Sequence, residues 1–440
     1  MLPPGVNDMR SSVSGFPEWL PRQRRTELQF IKVLSDVAEL YGFCSIETRA
    51  VERVQHLQSK GDTSKEIYTI SRLQDADHAT PATLGLHFDL TVPLARYVSE
   101  HKRELVFPFK RYQIQKVWRG ERAQEGRYRE FYQADFDVIA NAGKRLLSYD
   151  SELLEMILVI FDRLPVPPIE LRVNNRKLLQ GLYEALDIAH PELVLRVMDK
   201  IGKVGANGVH DELIGSCGLS SDLAAKIVQY GQISCEAHEL GTKIEELGLR
   251  NTHIDEGVSE LSSMIEAVEP ELRRRIVIDL GIVRGLSYYT GMICEGFLEG
   301  ADNLGAICSG GRYDNLLETI GSNEKMPGVG LSIGLTRLLG HLFKADSFAL
   351  GRDGIAEVLV ALQSEADRPA SASIAKQLRQ RGIKCEIYHS ADKFGKQIEY
   401  AVRKDIRYIW FPRQGDEVGT VKDLSTGIQS SADEQIWMPS

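Results

Sequence analysis

The feature that most constrains this chain is a series of short extended segments joined by connections too short to carry a crossover helix. FCSIETRAVE (43–52), TLGLHFDLTV (83–92), RYQIQKVWRG (111–120) and EFYQADFDVIA (130–140) read as strands separated by polar or basic links. Parallel neighbours need a return of a dozen or more residues, so these strands are expected to pair antiparallel. Helices flank them. Residues 22–42 place Leu28, Ile31, Leu34, Val37 and Leu40 at three-residue steps, with Phe30 and Val33 beside that stripe and Gly42 as the stop. Leu146 to Leu164 reads as an amphipathic helix ended by Pro165, Pro167 and Pro168.

From about 167 to 273 the pattern is mostly helical, punctuated by glycine loops, before sheet-like sequence resumes at 276–298 and closes with a helix after PGVGLSIG. One α+β domain is therefore expected over 1–166 and 274–345, interrupted by a helical insertion at 167–273. Beyond a linker from Gly351 to Gly354, strand and helix alternate and predict a small α/β domain over 354–440. A chain of 440 residues is long enough for several such cores.

No stretch reaches the roughly 20 apolar residues of a spanning helix, and MLPPGVNDMRSS lacks the apolar core of a secretory signal. A cytoplasmic location without membrane contact is the expectation. The cysteines, Cys44, Cys217, Cys235, Cys294, Cys308 and Cys385, have no metal-ligand spacing and read as small apolar residues rather than metal ligands. Net charge is -9, which argues against a general nucleic-acid coat. Yet Lys102 to Arg129 holds nine Lys or Arg against three Glu, a local +6 suited to one anionic partner.

Four segments carry candidate chemistry. In FKRYQIQKVWRGERAQEGRYREFYQADFD (109–137) a hairpin presents Arg119, Arg122, Arg127 and Arg129 near Glu121. Guanidinium forks bind phosphate oxygens in pairs, and Phe131 offers a face for a purine ring; a plain solvated basic hairpin is the alternative. RGLSYYTG (284–291) sets Arg284 four and five residues from Tyr288 and Tyr289. Strand alternation would put Arg284 and Tyr288 on one face and Tyr289 on the other unless a glycine bulge intervenes; structural tyrosines are the bland reading. SGGRYD (309–314) permits either a close backbone approach or a turn. GVGLSIGLTRL (328–338) lacks the G-x-G-x-x-G spacing of dinucleotide folds, which excludes that reading.

Together these segments resemble class II aminoacyl-tRNA synthetases, and within them the histidyl-tRNA synthetase family. R-G-E at 119–121 is similar to motif 2, GVGLSIGLTRL with Arg337 to motif 3, and RGLSYYTG and GGRYD to stretches that distinguish the histidine enzymes. The resemblance runs from LPPGVNDMR to KDLSTGIQ. Departures are Arg49 after the motif 1 Thr, His87, Ala123 and Ser287, where the family commonly has Pro, Arg, Pro and Asp.

The resemblance implies a class II catalytic domain with an antiparallel sheet flanked by helices, a helical insertion and a C-terminal anticodon-binding domain. It implies formation of histidyl-adenylate from L-histidine and ATP with Mg2+, transfer to tRNA(His), and a homodimer joined through the motif 1 helix. Asp89, Thr91 and Gln133 would hold the α-amino group; Asp137 and Tyr289, with Tyr288, the imidazole. Arg119 and Arg284 would act as catalytic cations at the α-phosphate and carboxylate. Phe131 and Arg337 would hold the adenine end of ATP, aided by Glu121 and Arg129. No protein-held metal is implied. The runner-up is a synthetase-like regulatory subunit of histidine biosynthesis, a class that lacks the C-terminal domain and often the catalytic Arg. A binding protein with a dead site is a third reading, opposed by the presence of Asp89, Arg119, Gln133 and Arg284 together.

Overall fold

The computed structural model describes residues 12–58, 65–72, 74, 82–124, 126–141, 147–283, 289–321, 324–345, 354–413 and 419–439. Two compact units divide the chain, 1–18 with 29–345 and 19–28 with 346–440. Among the described residues no helix is long and apolar enough to cross a membrane.

The larger unit is organised by a nine-stranded sheet. Its spatial order is Cys44–Ser45, Phe109–Trp118, Glu130–Ile139, Gly328–Ile333, Cys308–Tyr313, Met292–Leu298, Ile169–Asn175, Ile276–Asp279 and Ser234–Cys235. The strands from 109 to 139 and from 292 to 333 pair antiparallel, a direction that short connections require for 109–118 with 130–139 and for 292–298 with 308–313. Two neighbour pairs depart from the all-antiparallel expectation. Cys44–Ser45 runs parallel to Phe109–Trp118, and Ile169–Asn175 runs parallel to Ile276–Asp279. Both partners in each case are far apart in sequence, so the chain has length enough to return in the same direction.

Ile169–Asn175 also departs from the expected helical insertion at 167–273, because it pairs along its whole length with Met292–Leu298 and carries buried Ile169, Leu171 and Val173 on one face. Ser234–Cys235 joins the sheet edge from within the same span. Helices do fill most of the remainder, the longest being Ile201–Cys217 and Thr252–Glu266.

The segment 83–92 is not one strand. Leu84–Leu86 forms a separate three-stranded sheet with Val51–Arg53 and Thr69–Ile70, and a helix, Thr91–His101, begins at the end of the segment. Asp89 explains the switch: its Oδ1 accepts from the backbone N–H groups of Thr91 and Val92 at 3.2 and 3.1 Å, satisfying donors that the first helical turn leaves free. Pro93 fits that turn because its missing N–H would have no helical partner there.

The helix Pro21–Leu40 corrects the expected apolar stripe. Phe30, Leu34, Val37 and Ala38 are buried, whereas Leu28 and Leu40 are 50% and 67% exposed. Each three-residue step falls about 60° short of a full turn, so five such positions wind around the helix instead of sharing a face. The helix Ser148–Arg163 buries Leu153, Leu154, Met156, Ile157, Ile160 and Phe161. Its first turn is tied to the sheet by Asp150, which Arg312 grips through Nε and Nη2 in a buried pair.

The second unit holds a five-stranded sheet ordered Cys385–Ile387, Val358–Val360, Tyr408–Phe411, Thr420–Asp423 and Gln429–Ser431. The first three strands are parallel, joined by the helices Arg368–Gln380 and Phe394–Arg403, as the alternating sequence predicts. Val358, Val360, Tyr408 and Trp410 pack on one face; Leu359, Ala361 and Ile409 pack on the other. Burial on both faces accounts for the unbroken apolar run VLVAL.

Candidate active site

The long hairpin of the main sheet supplies the floor of a cavity of about 490 Å³. Its register pairs Arg111 with Asp137, Gln113 with Asp135, Gln115 with Gln133 and Val117 with Phe131. Because strand side chains alternate, Phe131, Gln133, Asp135 and Asp137 share one face, and all four line the cavity. The opposite strand answers with a fully buried arginine. Arg111 Nη2 lies 2.7 Å from Asp137 Oδ2 and 3.9 Å from Asp135 Oδ2, and Nη1 donates to Gln113 Oε1 at 3.2 Å. Tyr313 Oη donates to Asp137 Oδ1. An otherwise costly buried carboxylate is thus held by a cation and a phenol.

Space for that carboxylate comes from the next strand. Gly330 sits opposite Asp137, and a Cβ there would overlap the Asp137 carboxylate. Gly310 likewise lets its strand approach the Gly330 carbonyl, where a Cβ would collide. The glycine pair of SGGRYD therefore serves close approach within a strand, not a turn.

Around this floor the cavity brings together Asp89, Thr91, Arg119, Glu121, Phe131, Gln133, Asp137, Tyr289 and Arg337, all singled out in the sequence. Arg119 is held by its Nε donating to Phe88 O at 3.0 Å and by Nη2 donating to Gln133 Oε1 at 3.3 Å, and its guanidinium lies 5.1 Å from the Phe131 ring centre. Arg337, on the helix Leu335–Leu342, reaches back to donate to the carbonyls of Ala306, at 3.0 Å, and Leu304. Thr336 on the same helix accepts from the Tyr132 N–H at 2.8 Å, tying this helix to the hairpin.

Burial first, then the nearby carboxylates of Asp135, Asp137 and Asp89, push the Tyr289 phenol well above its ordinary range. It stays a neutral hydroxyl, able both to donate and to accept a hydrogen bond. Burial likewise pushes the Asp135 carboxyl up, against the opposing pull of Arg111, Ser332 and Gln133. Cys294 lines the cavity and Cys308 lies on the neighbouring strand, and burial raises both thiols, leaving them as apolar packing.

Arg129, expected at the nucleotide, stands apart from the residues that line the cavity; its Nε donates to the Glu121 carbonyl at 3.1 Å, and its backbone N–H donates to Gly15 O at 2.7 Å. The strand begins at the next residue, Glu130, and the Arg129 side chain braces the loop that precedes it. Arg284 and Tyr288 lie outside the described residues, and with them the expected strand alternation of that segment. Sequence reasoning missed Arg111, Asp135 and Tyr313. The signal was present as the period-two pairing of Arg111, Gln113 and Gln115 with Gln133, Asp135 and Asp137, readable only once the hairpin register is known.

The geometry can be set beside known proteins. The family model described as "Histidyl-tRNA synthetase" matches residues 15–338, and that described as "Anticodon binding domain" matches 357–411. A "Histidine--tRNA ligase" from Thermobifida fusca is 47% identical over 97% of both chains, and one from Xanthomonas oryzae pv. oryzae is 39% identical over 93% of this chain and 92% of its own. The crystal structure of histidyl-tRNA synthetase from Nostoc sp. PCC 7120 superposes with a TM-score of 0.85 at 36% identity, covering 96% of each chain. An ATP phosphoribosyltransferase regulatory subunit/histidyl-tRNA synthetase from Bacillus halodurans C, at TM-score 0.75 and 18% identity, covers 93% of this chain and 99% of its own and shares the fold. With a family model spanning most of the chain and relatives matched nearly end to end, this protein belongs to the histidyl-tRNA synthetase family.

Proposed function

We propose that this chain activates L-histidine with ATP to histidyl-adenylate and transfers the histidyl group to tRNA(His). The observation that carries the reading is a single cavity joining a buried carboxylate floor, suited to an amino acid rich in N–H donors, to Arg119, Phe131 and Arg337, suited to a nucleotide. Asp89, Thr91 and Gln133 take the α-amino group, and Asp137 with Tyr289 and Tyr288 takes the imidazole. Arg119 and Arg284 neutralise the α-phosphate and align the carboxylate. Phe131 and Arg337 enclose the adenine, Glu121 helps position the nucleotide, and Arg129 braces the Glu121 loop.

No general base is required, because the attacking carboxylate is already ionised. Its oxygen bonds to the α-phosphorus while the bond to the β-phosphate oxygen breaks and pyrophosphate leaves. Alignment and neutralisation of charge on the pentavalent phosphorus are the chain's contribution. In the second step a ribose hydroxyl of the terminal tRNA adenosine attacks the acyl carbon and AMP departs. Magnesium enters with the nucleotide substrate.

Selectivity follows from the polar floor: an amino acid without the imidazole nitrogens leaves Asp137 and a tyrosine hydroxyl with unmade bonds, a penalty that reaches roughly 10⁴ to 10⁵ in discrimination at such sites. The C-terminal unit takes the anticodon, where the stretch 371–411 carries nine Lys or Arg against four Asp or Glu. The regulatory-subunit reading is disfavoured by relatives named as ligases along nearly the whole chain. We also propose a cytoplasmic homodimer, with the exposed apolar residues of Pro21–Leu40 at the two-fold. A monomer at micromolar concentration in light scattering would count against the dimer. Histidine-dependent exchange of pyrophosphate into ATP tests the activity itself; no exchange with histidine, or equal exchange with other amino acids, would sink it.

A further inference from the structure

We propose that Asp135 is a positioning residue that fixes the side-chain amide of Gln133 and, through it, the guanidinium of Arg119. This rests on the adenylate-forming reading above. Gln133 lies between two groups of opposite hydrogen-bonding character: its Nε2 donates to Asp135 Oδ1 at 2.9 Å, and its Oε1 accepts from Arg119 Nη2 at 3.3 Å. The Asp135 Oδ1 that receives this N–H acts as acceptor and a guanidinium only donates, so an amide held between them has one orientation. Without the carboxylate the amide is fixed from one side alone.

Asp135 has little else to do at the site. It lies on the same strand face as Gln133 and Asp137 and is 4% exposed, yet the one buried guanidinium nearby sides with its neighbour: Arg111 is 2.7 Å from Asp137 and 3.9 Å from Asp135. Asp137 therefore takes the ion pair and Tyr313, while Asp135 is left to orient Gln133, with Ser332 across the next strand as its other hydrogen-bond partner. The line Asp135–Gln133–Arg119–Phe88 O runs from the floor to the mouth of the hairpin and links amino-acid recognition to the phosphate-neutralising cation.

The experiment is a double-mutant cycle on the full chain, read by histidine-dependent pyrophosphate exchange and by single-turnover adenylation. Asp135→Ala should lower adenylation and raise the KM for histidine by a combined factor of about 10 to 100, the range for leaving the buried Gln133 amide N–H without its acceptor. Asp135→Asn, whose amide oxygen can still accept from Gln133, should stay within about threefold of the parent. In a Gln133→Ala background Asp135→Ala should add less than about twofold, since its effect is routed through the missing amide. Should Asp135→Ala fold poorly, Gln133→Glu supplies the same answer: a carboxylate facing Asp135 impairs exchange, and adding Asp135→Asn restores it. Full additivity in the cycle, an Asn variant as impaired as Ala, or no rescue of Gln133→Glu overturns the assignment. If the parent itself shows no histidine-dependent exchange, the functional reading fails first, before Asp135 is tested.

Discussion

The two sheets of this protein are built on opposite principles. In the C-terminal unit Val358, Val360, Tyr408 and Trp410 face one apolar layer and Leu359, Ala361 and Ile409 face another, and buried polar side chains such as Gln397 serve the backbone, bonding both Leu362 N and Leu362 O. At the centre of the larger unit, the paired strands 109–118 and 130–139 bury Arg111, Gln113, Gln133, Asp135 and Asp137 instead. Apolar burial stabilises without direction, whereas buried charges must each find a partner at a set distance. The first sheet is thus a platform, and the second spends stability on a preorganised polar surface.

Replacing Trp410, fully buried and edge-on to Trp437 at 5.6 Å between ring centres, is expected to have the largest effect. Trp410→Ala should destabilise the C-terminal unit by about 3 to 5 kcal/mol. Thermal unfolding followed by tryptophan fluorescence should shift, and tRNA charging should drop while histidine-dependent exchange persists. Equal loss of both activities would erase the functional contrast between the two sheets.

Next in size is the loss of a proposed catalytic cation. Arg284→Ala should slow adenylation by roughly 10² to 10³, typical for one donor aimed at developing charge, with a smaller change in histidine affinity. An adenylation burst near the parent rate would remove Arg284 from the proposed mechanism. Smaller still is Gly330→Ala, whose methyl collides with the Asp137 carboxylate. Overpacking of about 1 to 3 kcal/mol should appear as a raised KM for histidine more than as a lowered melting temperature; the reverse pattern would make Gly330 a folding residue only.

The smallest expected effect concerns protons. His87 is buried against Trp118, and its Nε2 lies 2.7 Å from Lys116 O. A carbonyl only accepts, so Nε2 carries the proton of a neutral ring. Burial, outweighing that bond and the Asp89 and Glu52 carboxylates, lowers the imidazole below its ordinary value. A base lowered on folding contributes stability that is present above its unfolded value, about 6.5, and lost as pH falls below it. Melting temperature should therefore decline below that pH, and His87→Gln should flatten the decline. An unchanged slope in the variant would assign the effect to other groups.

Much of the site was legible before any coordinates. Asp89, Arg119, Phe131, Gln133, Asp137, Tyr289 and Arg337 lie on separate segments, and it was the resemblance of their motifs to the histidyl-tRNA synthetase family that grouped them; the cavity brings them together. Other features were not legible. Arg129 looked like one more phosphate-binding cation, and only the path of the loop turns it toward the Glu121 carbonyl. Ile169–Asn175 follows a proline cluster and precedes a helix, so its place deep in the sheet depends on pairing with Met292–Leu298, more than a hundred residues later.

Local patterns were carried by the residues alone: the alternation that gives Gln133, Asp135 and Asp137 one face and the apolar runs of the C-terminal sheet follow from periodicity and side-chain chemistry, which act over a few residues, while the family was legible through the resemblance of the motifs. Only the tertiary structure decided that Arg111 neutralises Asp137 more closely than Asp135, that Gly330 vacates the space Asp137 fills, and that Tyr313 completes the pocket floor. Such choices depend on register between strands distant in the chain, where a shift of one residue would turn every one of these side chains to the other face.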